Sequence, residues 1–160
     1  MKAITLTQPH ATLMAIGAKI FETRSWQTSH RGETAIHAAQ GLGPVGGRKG
    51  LAALCNTEPF RSVLLERFWW PMGSTADFLY DPAAYLPLGC ILATVRFYDI
   101  VPTFELGGTG PEILSDQERA FGDYSAGRYA WLSSNLHAFS KPIKAKGALS
   151  LWEWDGATIT

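Results

Sequence analysis

The chain has 160 residues, of which 46% are hydrophobic and 12% aromatic. This composition excludes an intrinsically disordered chain and favours one globular domain with a sizeable core. Fourteen acidic and fourteen basic residues give zero net charge, which excludes a global positive field that would attract nucleic acid. A nucleic-acid-binding role would therefore need a local patch.

The first forty residues predict three strands and one short helix. Alternation with a β-branched residue indicates a strand over residues 3–6. A helix follows between Pro9 and Gly17, with Thr7 or Gln8 as its cap. Residues 20–24 and 32–39 alternate again and predict two more strands. In the first of these, Ile20, Glu22 and Arg24 face one way and Phe21 and Thr23 the other.

The middle of the chain, near residues 42–87, predicts an insertion into the domain. A glycine-rich loop opens it, and helical spacing of apolar residues follows around Leu51 and Phe60. Residues 69–87 contain three prolines and mixed aromatics, which indicate a long irregular segment of the kind that often carries function.

The last seventy residues predict strands again. Residues 90–101 form a long apolar run, and a loop follows in which Ser115 and Glu118 have the spacing of a helix-capping pair. Two closing strands flank a basic loop, whose lysines are Lys141, Lys144 and Lys146. We therefore expect a single α+β domain over residues 1–160: a small β-barrel or strongly curved sheet of about five to six strands, with helices on one side.

Three charged residues in the second strand form the first candidate site. Glu22 and Arg24 fall on one face of the strand, and Lys19 stands at its start. One acid can then pair with two bases, which would hold the arginine fork for a planar or phosphate partner. The alternative is an ion-pair ladder on the surface, which would contribute little stability.

Several other polar or aromatic residues have two interpretations each. Gln8 could present its amide to a base edge or cap the helix, and His10 is expected on the exposed helix surface. His37 is either a satisfied strand histidine or a cleft residue. Trp26 and Tyr129 are the aromatic candidates for base stacking, with core packing as the alternative. His30 and His37 lie seven residues apart, a spacing that does not favour a metal site, and neither a metal nor a cofactor is expected.

Two stretches, "LTQPHATLMAIGAKIFETRSW" and "RGETAIHAA", resemble the ASCH domain, a module named for homology to activating signal cointegrator 1. The signature Gly-x-Lys-x-x-Glu-x-Arg is complete as Gly17, Lys19, Glu22 and Arg24. The late stretch "YAWLSSNLHAFSKPIKAKGALSLWEW" is similar to the closing strands of the family. The resemblance covers both ends of the chain and leaves residues 42–86 unaligned.

The resemblance implies a fold of the PUA-like superfamily, a small β-barrel with helices beside it. It also implies that the signature residues line a cleft that binds RNA, other single-stranded nucleic acid or a modified nucleotide. Lys19 and Arg24 would hold a phosphate or a base carbonyl, and Glu22 would orient them or accept from an exocyclic amine.

Some members of the family are enzymes, which leaves two further alternatives open. One is a metal-independent ribonuclease in which Lys19 and Glu22 are catalytic. The other is a nucleoside amidohydrolase, but Glu22 occupies the place of that subgroup's nucleophilic threonine, which argues against its mechanism. We expect Lys19→Ala and Arg24→Ala to leave folding intact, within about 1 kcal/mol as for surface changes, but to abolish ligand binding.

No segment approaches the roughly 18 apolar residues of a membrane span, and the first ten residues lack the apolar region of a signal peptide. We therefore expect no membrane partner and a cytoplasmic location. The sequence does not specify an oligomeric state.

Overall fold

A computed structural model describes residues 1–69, 72–107 and 114–156. Its strands are β1 (Lys2–Leu6), β2 (Phe21–Arg24), β3 (Gly32–Ala38), β4 (Cys90–Pro102), β5 (Tyr129–Lys144) and β6 (Leu151–Glu153). Its α-helices are α1 (His10–Ala15), α2 (Gly47–Cys55), α3 (Phe60–Leu64), α4 (Thr75–Tyr80) and α5 (Asp116–Ala120). Short 3-10 turns occupy Gly43–Val45, Pro82–Ala84 and Thr103–Gly107, and a π-helical segment occupies Leu65–Trp69.

The six strands form one sheet in the order β2-β5-β4-β3-β1-β6, which curls into a half-barrel. β1 and β3 are parallel, and the remaining neighbours are antiparallel. This architecture confirms the predicted α+β class with a curved sheet and a few helices. The half-barrel leaves a seam between β2 at one edge and β1 near the other.

Two apolar clusters sandwich helix α1. Ala11 and Met14 face the sheet, where they pack with buried residues such as Ile36 and Trp131. Leu13 faces a second cluster, which α2, α3, α4 and the segment after α5 build beside the sheet. Because both sides of α1 are buried, the helix is fixed relative to the seam that its C-terminal end adjoins.

Gly17 ends α1 and turns the chain into the charged strand. It has a φ of +69°, a left-handed conformation that glycine adopts without a side-chain penalty. Its N–H donates to Met14 O at 3.0 Å, and the N–H of Ala18 donates to Leu13 O at 2.9 Å, which is the pattern of a Schellman cap. Lys19 N–H donates to the same Leu13 carbonyl at 3.0 Å. The glycine of the signature thus sets where Lys19 begins the next segment.

The predicted irregular segment of residues 69–87 is more ordered than its prolines suggested. It contains α4, which begins after Ser74, whose hydroxyl accepts from the N–H of Asp77 at 3.4 Å. Phe78 of this helix is fully buried and stacks on Trp69 with ring centroids 5.1 Å apart. Residues 70 and 71 lie outside the described part of the chain, as do residues 108–113 of the predicted loop after β4.

The prediction that Lys141, Lys144 and Lys146 lie in a loop is wrong for the first two. Lys141 and Lys144 belong to the end of β5, which continues through Pro142 to pair Lys144 with Cys90 of β4. Proline is tolerated there because β2 pairs only with residues 129–132 of β5, so that the far half of β5 is an edge. In the described residues, no helix has the length and apolar character needed to cross a membrane.

Candidate functional site

Arg24 bridges the seam of the half-barrel. It lies on β2, at one edge of the sheet, and its Nη2 donates to the carbonyl oxygen of Thr5 on β1 at 2.7 Å. The strand order places three strands between these two. The arginine therefore joins the two sides of an open barrel by a single charge-assisted hydrogen bond.

The signature charges form one compact cluster at this seam. Arg24 Nε lies 3.0 Å from Glu22 Oε1, an ion pair whose N–H is not aligned for a hydrogen bond. Lys19 Nζ lies 3.7 Å from Glu22 Oε2 on the other side of the carboxylate, and it donates a hydrogen bond to the carbonyl of Phe21. One carboxylate is thus shared by two cations.

Lys19 and Glu22 are buried and Arg24 is half-buried, so the alternative of an ion-pair ladder on the surface is wrong. The side chains of Lys19, Glu22 and Arg24 are 1%, 10% and 25% exposed. Removing one partner of a buried ion pair leaves a charge without compensation, which typically costs about 3–5 kcal/mol. Alanine at position 19 is therefore expected to affect folding as well as binding.

Glu118 of helix α5 fixes the backbone at the start of β2. Its carboxylate accepts from Phe21 N at 2.9 Å and from Ile20 N at 3.1 Å. The predicted capping pair is confirmed in one direction, because the Ser115 hydroxyl accepts from the N–H of Glu118 at 3.0 Å. Burial raises the pKa of Glu118, and Lys19 opposes that rise. The cap therefore holds a buried carboxylate that positions the charged strand.

The seam opens into a cavity of about 500 Å³, which we call the cleft. Its walls come from β1, α1, β2, α3 and the segment after α5. The polar residues that line it are Thr5, Thr7, His10, Lys19, Glu22, Thr23, Arg24, Ser25, Asp123 and Arg128. Three of these side chains are cations and two are carboxylates, so the walls carry a formal charge of +1.

Trp26 forms an aromatic wall of the cleft. Its ring packs edge-on against the buried Trp131, with centroids 4.7 Å apart. The Trp131 indole N–H donates to the carbonyl of Trp26 at 3.4 Å. The ring is therefore anchored on the core while it contributes to the cavity.

His10 is part of the cleft, and its expected place on the exposed helix surface is wrong. Its ring packs edge-on against Phe60 with centroids 5.9 Å apart. Burial first, and the positive charge of Lys19 second, lower the pKa of His10 to about 4. At neutral pH the cleft therefore contains an uncharged imidazole beside two cations.

Three of the predicted site residues lie away from the cleft. Gln8 is fully buried, its amide nitrogen donates to Pro87 O at 2.7 Å, and its oxygen accepts from Thr12 N at 3.1 Å, which matches the capping alternative. Tyr129 is opposite Arg24 in the β2–β5 ladder and packs on the core. His37 is buried and lines a different cavity.

Asp123 and Arg128 form a rim of the cleft that the sequence pattern did not indicate. Arg128 Nε lies 3.3 Å from Asp123 Oδ2, and its Nη2 donates to Thr23 O at 3.3 Å. The Thr23 hydroxyl accepts the N–H of Asp123 at 2.9 Å. This pair is distant from β2 in the sequence. The only sequence signal near it was the helix cap at Ser115, where the preceding helix α5 begins.

Comparison with known proteins assigns no family: no protein-family model matches the chain, and no curated protein is significantly similar to it. Within the described residues, no group of three or more His, Cys, Asp or Glu side chains is placed to hold a metal ion. The case for a function therefore depends on the geometry of the cleft.

Proposed function

We propose that the chain is an ASCH-like domain with a PUA-like barrel, and that its cleft binds a nucleotide unit of RNA or a modified nucleotide. The completed signature of Gly17, Lys19, Glu22 and Arg24 supports the family assignment. The convergence of the three charged members in one cavity supports the ligand assignment.

The observation that best supports this proposal is the restrained guanidinium of Arg24. Its Nη2 donates to Thr5 O and its Nε lies in an ion pair 3.0 Å from Glu22 Oε1, while Nη1 has no acceptor in the described part of the chain. A guanidinium held on two sides is preorganised, so its remaining N–H groups can bind a phosphate or a base carbonyl with little further loss of entropy.

The remaining walls are suited to a base. A cavity of about 500 Å³ falls within the range of small-molecule sites. Trp26 offers an anchored ring for stacking, which is typically worth about 1–3 kcal/mol per base. The carboxylate of Glu22 can accept from an exocyclic amine. Stacking and a local cation together provide affinity without a net positive charge on the protein.

The test compares Arg24→Lys with Arg31→Lys. Lysine keeps the positive charge beside Glu22 but cannot contact Thr5, Glu22 and a ligand with one fork. Arg31 is a matched control, because it lies outside the cleft in an exposed pair with Asp99. Fluorescence anisotropy with labelled single-stranded RNA should show at least tenfold weaker binding for Arg24→Lys and no change for Arg31→Lys. Equal affinities for both variants and the wild type would refute the proposal.

A metal-independent ribonuclease is the second candidate, and His10 is the observation that favours it. A neutral imidazole in the same cavity as Lys19 can accept a proton from a ribose hydroxyl, and Lys19 or Arg24 can stabilise the charge on the phosphorane. The same RNA is therefore incubated in chelator and run on a denaturing gel. Cleavage that is lost in His10→Gln would establish the enzyme, and a shifted but intact RNA would establish the binding module.

A further inference from the structure

A second cavity, of about 740 Å³, adjoins the cleft at Thr5. Its walls are the end of β1, His37 of β3, the loop after β3 and the turn that joins β5 to β6. The lining residues are Thr5, His37, Ala39, Gln40, Gly89, Lys144, Ala145, Lys146, Gly147, Ala148 and Leu149. The proposed function makes no use of this cavity.

Hydrogen bonds hold the walls of the second cavity in place. The carbonyl of Ala145 can only accept, so His37 donates to it from Nε2 at 3.0 Å. The Thr5 hydroxyl is 3.2 Å from His37 Nδ1, donates to Ala148 O at 3.1 Å and accepts from the Trp152 indole at 3.1 Å. Thr5 thus ties β1, β3, the turn and β6 together. The cavity is preformed.

The charged residues that line the second cavity are of one sign, although its two lysines also line a smaller cavity that includes Glu153 and Asp155. Residues 124–152 contain no Asp or Glu but include four cations, Arg128, Lys141, Lys144 and Lys146. Lys144 and Lys146 are exposed and line the second cavity, and neither is within 4 Å of a carboxylate in the described part of the chain. The cavity walls therefore carry a formal charge of +2 on a protein of zero net charge, which is the local patch that a polyanion would require.

The two cavities have Thr5 in common, at an open strand edge. β6 pairs with β1 only as far as Ile4, opposite Leu151, and therefore ends before Thr5. The carbonyl of Thr5 accepts from Arg24 in the cleft, and its hydroxyl belongs to the hydrogen-bond network of the second cavity. Thr5 alone therefore separates the Arg24 guanidinium in the cleft from the wall of the second cavity that carries Lys144 and Lys146.

From this juxtaposition we propose that the ligand is a single-stranded oligonucleotide and not a mononucleotide. One nucleotide occupies the cleft, and the strand continues across Thr5 into the second cavity, where Lys144 and Lys146 neutralise its phosphates. This inference rests on the proposed function, because it takes the cleft as the site of the first nucleotide.

The experiment measures how the affinity for a short single-stranded RNA depends on salt. Each phosphate neutralised on a single strand contributes about 0.7 to the slope of log K against log salt. Lys144→Gln/Lys146→Gln should therefore reduce the slope by about 1.4. Between about 50 and about 200 mM salt, the wild type should then lose about sevenfold more affinity than the double variant. A nucleoside monophosphate, used as competitor, should bind the wild type and the double variant equally well.

Two controls separate the lysines from general effects of charge and folding. Lys49→Gln removes one exposed lysine from α2, outside both cavities, and should leave the slope unchanged. Lys146→Gln alone leaves intact the hydrogen bond from Lys144 Nζ to Leu88 O, and should reduce the slope by about half as much as the double variant. It supplies the test if the double variant has an altered thermal melting temperature.

The outcomes distinguish this inference from the proposed function. If the lysine variants keep the wild-type slope while Arg24→Lys still weakens binding, the cleft binds a nucleotide and the continuation into the second cavity is refuted. If the lysine variants lower the slope while Arg24→Lys binds normally, the strand does not start in the cleft, and both proposals fail as stated. Weakening by both sets of variants, with monophosphate binding lost only in Arg24→Lys, supports both.

Discussion

The two cavities on either side of Thr5 use charge in opposite ways. In the cleft, Lys19 and Glu22 are buried and compensate each other at 3.7 Å. In the second cavity, Lys144 and Lys146 are exposed, and the buried walls are neutral groups joined by hydrogen bonds. Buried charges need their partners for the fold itself, whereas exposed unpaired charges contribute little to folding and remain available to a ligand. A substitution in the cleft should therefore change stability and binding together. A substitution of Lys144 or Lys146 should change binding alone.

The largest expected effect comes from Lys19→Met. Methionine approximates the length of lysine without its charge, so Glu22 keeps only Arg24 as a partner, and the carbonyl of Phe21 loses its donor. We expect a loss of about 3–5 kcal/mol in the free energy of unfolding, measured by urea denaturation.

The double variant Lys19→Met/Glu22→Gln is the control for this loss. It also removes the carboxylate that faces Arg24 Nε, so it should be no more stable than Lys19→Met alone. An exposed pair offers a second control: Arg31→Met breaks the contact with Asp99 and should cost at most about 1 kcal/mol. Equal losses for Lys19→Met and Arg31→Met would contradict the distinction between a buried and an exposed ion pair.

The next effect is a pH dependence that originates in the cleft. The folded state lowers the pKa of His10 from 6.5 to about 4, so below pH 6.5 the unfolded chain binds a proton that the folded chain does not. The stabilisation from this histidine is present above pH 6.5 and is lost as the pH falls towards 4. A lowering of this size corresponds to roughly 3 kcal/mol.

His10→Gln should therefore reduce the loss of stability between pH 6.5 and pH 4, measured from urea midpoints across that interval. His137→Gln is the matched control, because His137 is exposed on β5, and it should keep the wild-type pH profile. If His10→Gln and the wild type lose the same free energy over this interval, His10 is not the group that senses the pH.

The sequence predicted the charged cluster because its geometry is local. In a strand, residues two apart share a face, so Glu22 and Arg24 had to be neighbours wherever the strand lay. Gly17 likewise indicated the end of α1, because a left-handed residue after the last turn is a local requirement. The strands of the α+β sheet followed from the alternation of their side chains in the same way.

The rest of the cleft depends on how the sheet curls, which no local pattern expresses. Arg24 contacts Thr5 only because the sheet brings β2 near β1. His10 and Arg128 reach the cavity from elements that pack against the sheet from different parts of the chain. The burial of Lys19 could not be predicted either, since a lysine is normally exposed.

The second cavity was missed for a related reason. The sequence showed His37 and the three lysines but gave them separate roles, and proline at position 142 favoured a loop over a strand. The pairing of Lys144 with Cys90 carries β5 far enough for the turn that follows it to contact Thr5 of β1. One local signal in the insertion near residues 42–87 was overlooked as well, since Ser74 and Asp77 have the spacing of a helix cap.

The smallest expected effect tests the wall between Thr5 and the lysines. A Cβ at Gly147 would lie 2.4 Å from His37 Cε1 and 2.9 Å from Thr5 Oγ1. His37 is buried and hydrogen-bonded, so it cannot move away without breaking the network, and Gly147→Ala should cost about 1–3 kcal/mol, as overpacking usually does. The same substitution should displace the adjacent Lys146 and weaken oligonucleotide binding, while monophosphate binding in the cleft is retained.

Gly41→Ala is the matched control for this last prediction, because a Cβ there meets nothing within 4 Å. Both substitutions restrict the unfolded chain equally, so the difference between their melting temperatures isolates the contact with His37. If Gly147→Ala has the same melting temperature as Gly41→Ala and binds RNA like the wild type, the turn accommodates the added Cβ without loss of stability. The walls of the second cavity are then not rigid. If it loses oligonucleotide affinity but keeps the monophosphate, the two cavities are separable in function although they share Thr5.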